Sequence, residues 1–242
     1  KIKTLPVGDY NWRVRVWNKS DEPSSWSDKG RFIITNVKAS FGESRWIGAI
    51  TKADAHTPEG RIFHGSEMKK ETVKAAWAAA DSLSRKSIYV RTTFTSQQKK
   101  VKQAVVNICG LGLYELSING KKVGNSEFTP LISDYDKSVW YNTYDVTTLL
   151  QKGNNAIGVL LGNGFYNVQG GRYRKLLISF GPPTVRLQLI IHYEDGTSQT
   201  VASDKTWKYD FSPVTFNCIY GGEDYDARQE QKGWNMAKFN DT

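Results

Sequence analysis

Three carboxylates fall within four residues, Glu223, Asp224 and Asp226, in the string Gly221-Gly222-Glu223-Asp224-Tyr225-Asp226-Ala227-Arg228. Glycoside hydrolysis needs one carboxyl held protonated as an acid and a second ionised as nucleophile or base. Crowded carboxylates raise one another's pKa and so supply the acid. Arg228 stands beside them, however, and such a string also ends a domain as a salt-bridged turn. A second polar cluster is Asp134-Tyr135-Asp136. A third starts at Gly162-Asn163-Gly164-Phe165-Tyr166-Asn167 and continues through Gly170-Gly171-Arg172-Tyr173-Arg174. Glycines there let the backbone come close to a ligand. Tyr and Phe rings offer flat faces to the C–H surface of a sugar, and Asp, Asn and Arg supply the directional hydrogen bonds that hydroxyls require. The candidate sugar-binding residues are therefore Asp136, Asn163, Tyr166, Arg172, Tyr173 and Glu223. Asp136 with Asn163 is also a candidate oxygen pair for Ca²⁺. The competing reading is a long polar loop that docks on a neighbouring domain.

Other chemistries are excluded. The sequence has no P-loop, dinucleotide fingerprint, GxSxG elbow or HExxH motif. Of the histidines, His192 falls in a strand pattern, and His56 and His64 flank a Gly/Pro loop. Cys109 and Cys218 lack a CxxC partner or a histidine at metal spacing, which argues against zinc. They read as two buried free thiols. Lys+Arg 33 against Asp+Glu 24 leaves a net charge of +9. The basic residues come as short pairs beside turns (Lys69-Lys70, Lys99-Lys100, Lys121-Lys122) rather than as a run. That is a solvated surface and no nucleic-acid partner is expected. Apolar runs stay far below the roughly 18 residues of a bilayer crossing, so no membrane span is expected. The chain opens on Lys1 with no apolar signal segment behind it, which reads as a processed chain or a piece of a longer one.

The elements that must carry these clusters are strands. A chain of 242 residues suits one large domain or two smaller ones. From Tyr10 to Trp17 the residues alternate, with Trp12, Val14 and Val16 on one face and Arg13 and Arg15 on the other, a half-buried strand. A turn around Pro23 leads to a second strand, Trp26 to Ile34. Residues 36–86 are irregular, a linker with one helix over Glu67–Ala80 capped by Ser66. Strands then return at even spacing: Tyr89–Thr95, Lys102–Cys109, Tyr114–Ile118, Ala156–Leu161, Val185–Tyr193 and Gln199–Val201. Asn119-Gly120 and Asp195-Gly196 mark hairpin turns. Asp145 to Leu150 reads as one helical turn capped by Asp145. In Val185–Tyr193, Val185, Leu187, Leu189, Ile191 and Tyr193 share one face. Short strands with turn signals and little helix predict an all-β, antiparallel β-sandwich of the jelly-roll, galactose-binding-like kind over residues 87–242. It would follow the linker (36–86) and a lone hairpin (1–35).

Several ordered strings resemble the N-terminal sandwich domain of bacterial α-L-rhamnosidases. They are Tyr114 to Gly124 (YELSINGKKVG), Phe128-Thr129-Pro130, Asp134-Tyr135-Asp136-Lys137, Tyr141 to Leu150 (YNTYDVTTLL), Gly153 to Val159, Leu161 to Tyr166 (LGNGFY), Ile219 to Arg228 (IYGGEDYDAR) and Gly233-Trp234. The resemblance runs from about Trp46 to the end of the sequence. Residues 10–34 resemble the last hairpin of a fibronectin-type-III-like domain. The resemblance implies a parent enzyme that hydrolyses terminal α-L-rhamnosyl linkages with inversion. Its two catalytic glutamates would lie on an (α/α)6 barrel further along, which this helix-poor sequence does not contain. No catalytic residue is therefore assigned here, and this portion alone is expected to be inactive. Its expected partners are a rhamnose-containing glycan or glycoside and the catalytic domain of the same parent chain. A secreted, periplasmic or cell-surface location is also implied. The rival readings are a stand-alone Ca²⁺-dependent rhamnose-binding module and a purely structural interdomain sandwich.

Overall fold

The computed structural model describes residues 5–6, 8–34, 41–49, 62–64, 86–168 and 176–241. The Glu67–Ala80 helix, Arg172 and Tyr173 lie outside the described residues. The chain divides into two compact units, Lys1–Ser40 and Phe41–Thr242.

In the first unit, β1 (Gly8–Trp12) pairs antiparallel with β2 (Gly30–Ile34), Gly8 opposite Ile34 and Trp12 opposite Gly30. The strand expected to reach Trp17 stops at Trp12. Beyond it, serine hydroxyls replace backbone partners: the Val14 and Val16 amides donate to Ser27 Oγ and Ser24 Oγ, both at 3.1 Å. The alternation still sets the faces. Arg15 lies over the rings of Trp17 and Trp26 at 4.9 and 4.7 Å, cation–π contacts on the polar side. Trp12, Val14 and Val16 on the other side are exposed.

The second unit is an antiparallel sandwich. One sheet runs β14-β4-β9-β6-β7, from β4 (Ile88–Thr95), β6 (Leu113–Ile118), β7 (Lys121–Lys122), β9 (Asn154–Gly162) and β14 (Lys208–Phe211). The other runs β13-β12-β5-β8, from β5 (Val101–Leu111), β8 (Asn142–Asp145), β12 (Thr184–Tyr193) and β13 (Ser198–Ala202). Period-two alternation puts one side of each strand inside. Val185, Leu187, Leu189, Ile191 and Tyr193 of β12 are all buried, as their shared face requires. They meet Ala104, Val106 and Ile108 of β5 and, from the facing sheet, Val90, Leu116, Ile118, Ile157, Val159 and Leu161. The Asn119-Gly120 turn joins β6 to β7 with both residues at positive φ, +51° and +79°. That is the backbone a two-residue hairpin turn needs. A 3₁₀ turn, Thr147–Leu149, follows β8, and Asp145 accepts from the Thr147 amide at 3.0 Å.

Two smaller sheets crown one end. β3 (Ile62–His64), β11 (Leu176–Ser179) and β10 (Asn167–Val168) run in the order β10-β11-β3, and β15 (Val214–Cys218) pairs with β16 (Gly222–Tyr225). Phe41–Ala49, placed in the linker by sequence, is stitched to the outer side of β12. Ile47 and Val185 exchange backbone hydrogen bonds at 2.9 and 2.8 Å, and Arg186 donates to Ser44 Oγ at 2.9 Å. Cys109 and Cys218 are buried thiols. Burial lifts the Cys109 thiol to about 11, with the Arg186 charge pulling slightly the other way. Among the described basic pairs, Lys99-Lys100 and Lys121-Lys122 are exposed, and Lys99 pairs with Asp195 and Lys100 with Glu194 at 2.7 Å. No described helix is long and apolar enough to cross a membrane.

Candidate functional site

At the end of β9 the chain turns inward through Asn163, which is fully buried. Its amide donates to Asn217 Oδ1 at 2.7 Å, and its side chain accepts from Asn167 Nδ2 at 2.8 Å. Asn167 accepts in turn from Ser179 Oγ at 2.9 Å, and Asn217 donates to Ser87 Oγ at 2.8 Å. The network ties the ends of β4 and β9 to β10, β11 and β15. Buried carboxamides cost free energy unless their donors and acceptors are matched, and here they are matched to one another. Asn163 is thus a post that fixes the turn, not a surface group.

Aromatic rings lie over this post. The Tyr135 ring meets Tyr166 edge-on at 5.2 Å and lies 5.2 Å from Phe180. Tyr166 stacks on Phe180 at 5.7 Å and donates its hydroxyl to the Phe180 carbonyl at 3.0 Å. Phe165 meets Tyr220 edge-on at 5.8 Å. Those contacts gather the turn after Asp134, the turn after Asn163, the end of β11 and the β15–β16 hairpin. Asp136 is exposed beside Tyr135, and Glu223 is exposed on β16 opposite Asn217. The described parts of the three polar clusters therefore meet at one end of the sandwich. Arg172 and Tyr173 lie outside the described residues.

The carboxylate string has no acid–base geometry. Asp226 accepts from Arg228 Nε and Nη2, both at 2.8 Å, and from Gln229. The Arg228 guanidinium holds its carboxyl well below the usual carboxylate range. Glu223 and Asp224 are successive strand residues and point to opposite faces. The salt-bridged turn is the arrangement found. Asp134 is likewise held low, by Lys137 at 2.8 Å. Asn163 is fully buried with its side-chain oxygen accepting from Asn167, whereas Asp136 is exposed. Among the described residues no group of three or more His, Cys, Asp or Glu is placed to hold a metal. Sequence reasoning named Tyr135 only as part of a polar cluster and did not put forward Phe180 or Tyr220 as contacts; their signal is an aromatic residue set beside a Gly, Pro or Asp turn.

Residues 99–242 match the family model of the α-L-rhamnosidase N-terminal domain, and this chain belongs to that family. An α-L-rhamnosidase of Formosa agariphila is 39% identical over 238 residues, which are 96% of this chain and 24% of that protein. One from Streptomyces avermitilis is 31% identical over 249 residues, 97% of this chain and 23% of that protein. This chain spans about a quarter of the length of these curated relatives. Among solved structures, α-L-rhamnosidase from Dictyoglumus thermophilum superposes with a TM-score of 0.68 at 33% identity, over 99% of this chain and 24% of that one. That of Aspergillus terreus superposes with a TM-score of 0.71 at 27% identity, over 98% of this chain and 25% of its own. The Streptomyces avermitilis α-L-rhamnosidase solved with L-rhamnose covers 64% of this chain and 15% of that one, at a TM-score of 0.59 and 34% identity.

Proposed function

We propose that the chain is the non-catalytic, substrate-recognising N-terminal portion of an α-L-rhamnosidase, whose reacting carboxylic acids belong to the rest of the parent polypeptide. The parent acts on terminal α-L-rhamnosyl linkages of glycans or glycosides. The observation that carries this reading is the end of the sandwich where the Tyr135, Tyr166 and Phe180 rings cluster next to the turn held by buried Asn163, with exposed Asp136 beside Tyr135 and exposed Glu223 on β16. The rings offer apolar faces, and the exposed carboxylates offer acceptors for hydroxyls. A rhamnosidase of this family solved with L-rhamnose supports the sugar class. The chain also docks on its own catalytic domain. Phe128 and Leu131 are 71% and 74% exposed and Trp140 is 60% exposed, and large exposed apolar side chains in one segment mark an interaction surface.

The test uses an aryl α-L-rhamnoside and free L-rhamnose. The chain should leave the aryl glycoside intact and bind rhamnose saturably, with binding unchanged by a chelator. Turnover by the chain alone would overturn the division of labour, and no binding of rhamnose would leave only an interdomain scaffold.

A further inference from the structure

Beyond β16 the chain does not leave the sandwich. Residues 226–241 lie across the outer face of the five-stranded sheet. The Gly120 amide donates to the Asn235 carbonyl at 3.1 Å, and Asn235 Nδ2 donates to Ser117 Oγ at 3.1 Å. Trp234 rests on β9 where residue 158 is glycine; a Cβ there would stand 2.6 Å from the indole. The indole stacks on Tyr89 of β4 with ring centres 4.1 Å apart. Between this segment and the β4–β14 edge opens a cleft of about 490 Å³, within the range of small-molecule sites.

The lining of the cleft is specific. Tyr209, Trp234 and Phe239 bring rings to it, and Tyr209 is 49% exposed. At its floor the Arg91 side chain is only 5% exposed. Arg91 Nη2 donates to the Met236 carbonyl at 3.0 Å, the guanidinium pairs with Asp241, and it lies 5.3 Å from the Phe239 ring centre. Its Nε is shielded from solvent and has no hydrogen-bond partner among the described residues. Lys208 pairs with Asp241 at 3.0 Å, and Gln231 donates to Asp210 at 2.7 Å. The two cations, Arg91 and Lys208, are balanced by Asp210 and Asp241, so the cleft selects for no net charge. Flat rings, polar side chains and balanced charge together describe a site for a polyhydroxylated, uncharged ring.

We infer that this cleft is a second carbohydrate site, which takes a neutral pyranose on the Tyr209 and Trp234 rings. It goes beyond the end-of-sandwich site and shares no lining residue with it. Two sites on one domain would hold a polysaccharide at two points, raising its effective concentration.

The test titrates the protein with the methyl glycosides of L-rhamnose, D-galactose, D-xylose and D-glucuronate, following tryptophan emission. At least one neutral glycoside should saturate a change in emission, and Tyr209→Ala should weaken that binding at least about tenfold without moving Tm. If Tyr209→Ala lowers Tm, Gln231→Ala is read in its place, with the same weakening expected. Tyr166→Ala should leave this binding unchanged. Binding lost in Tyr166→Ala but retained in Tyr209→Ala would overturn the cleft while leaving the first site standing. Saturation by the glucuronide alone, or by no probe up to about 10 mM, would overturn it too.

Discussion

Strand β9 has a buried asparagine network at each end, and the two networks serve differently dressed surfaces. At its start, Asn119 Nδ2 donates to Asn155 Oδ1 at 2.8 Å and to the Leu149 carbonyl at 3.0 Å, while Asn119 Oδ1 accepts from the Ala156 amide at 2.9 Å. Asn155 closes the loop by donating to the Gln151 and Gly153 carbonyls, both at 2.8 Å. At its finish, Asn163, Asn167 and Asn217 do the same work with Ser87 and Ser179. Both networks begin at an Asn-Gly dipeptide, Asn119-Gly120 and Asn163-Gly164. The sequence reads the first as a turn and the second as a ligand contact, yet both asparagines face inward. What separates the ends is the layer above. Over Asn163 lie the rings of Tyr135, Tyr166 and Phe180 with exposed Asp136 and Glu223 nearby. At the other end, beyond the Asn119-Gly120 turn, stand the exposed side chains of Lys121 and Lys122. A buried asparagine thus marks how a loop is held, and the exposed residues it supports mark what the loop is for.

The comparison can be broken by mutation. The largest effect should come from Asn155→Ala, which removes one of the two acceptors of Asn119 Nδ2, takes the side-chain partner of the Gln151 amide and leaves the Gln151 and Gly153 carbonyls to Ser96 alone. We expect a loss of about 3–5 kcal/mol in denaturant unfolding with rhamnose affinity unchanged per folded molecule. Asn163→Ala should cost about 2–3 kcal/mol and, unlike the first, should also weaken rhamnose binding by loosening the turn under Tyr166. An affinity loss with no stability loss would instead make Asn163 a direct ligand contact. Tyr166→Phe removes one hydrogen bond to the Phe180 carbonyl and keeps the ring stack, so about 1 kcal/mol or less is expected. The smallest effect is in alkali. Burial, aided by Tyr225 and Glu230, raises the Tyr89 phenol to about 12. Its folded pKa exceeds its unfolded value near 10, so its contribution is complete below about pH 10 and is lost as pH rises toward 12. Tyr89→Phe should flatten that limb of a stability-against-pH curve.

The core was legible because β5, β9 and β12 are long and rich in apolar residues, and β12 sets Val185, Leu187, Leu189, Ile191 and Tyr193 on one buried face. β8, β14 and β16 were not, since each is four residues long and none has a buried residue. Short polar strands carry no period to read, and pairing partners supplied by the fold decide them. Phe41–Ala49 was unreadable for a related reason: its attachment to Val185 and Arg186 is tertiary. The convergence of Asp136, Tyr166 and Glu223 was legible as residue types, because rings, glycines and carboxylates cluster along the chain. The inward aim of Asn163 was not, since either orientation suits an Asn-Gly turn. The sheet-face cleft left only Gly158 and Trp234 as clues, because Arg91 and Met236, which close it, are 145 residues apart.

The most direct test is calorimetric titration of L-rhamnose into the protein carrying Tyr209→Ala, so that the sheet-face cleft does not contribute. The account predicts saturable heat that disappears when Asp136→Ala and Glu223→Ala are added and survives Lys121→Ala at the opposite end. Heat that persists in the Asp136→Ala, Glu223→Ala protein, or that never develops, would contradict it.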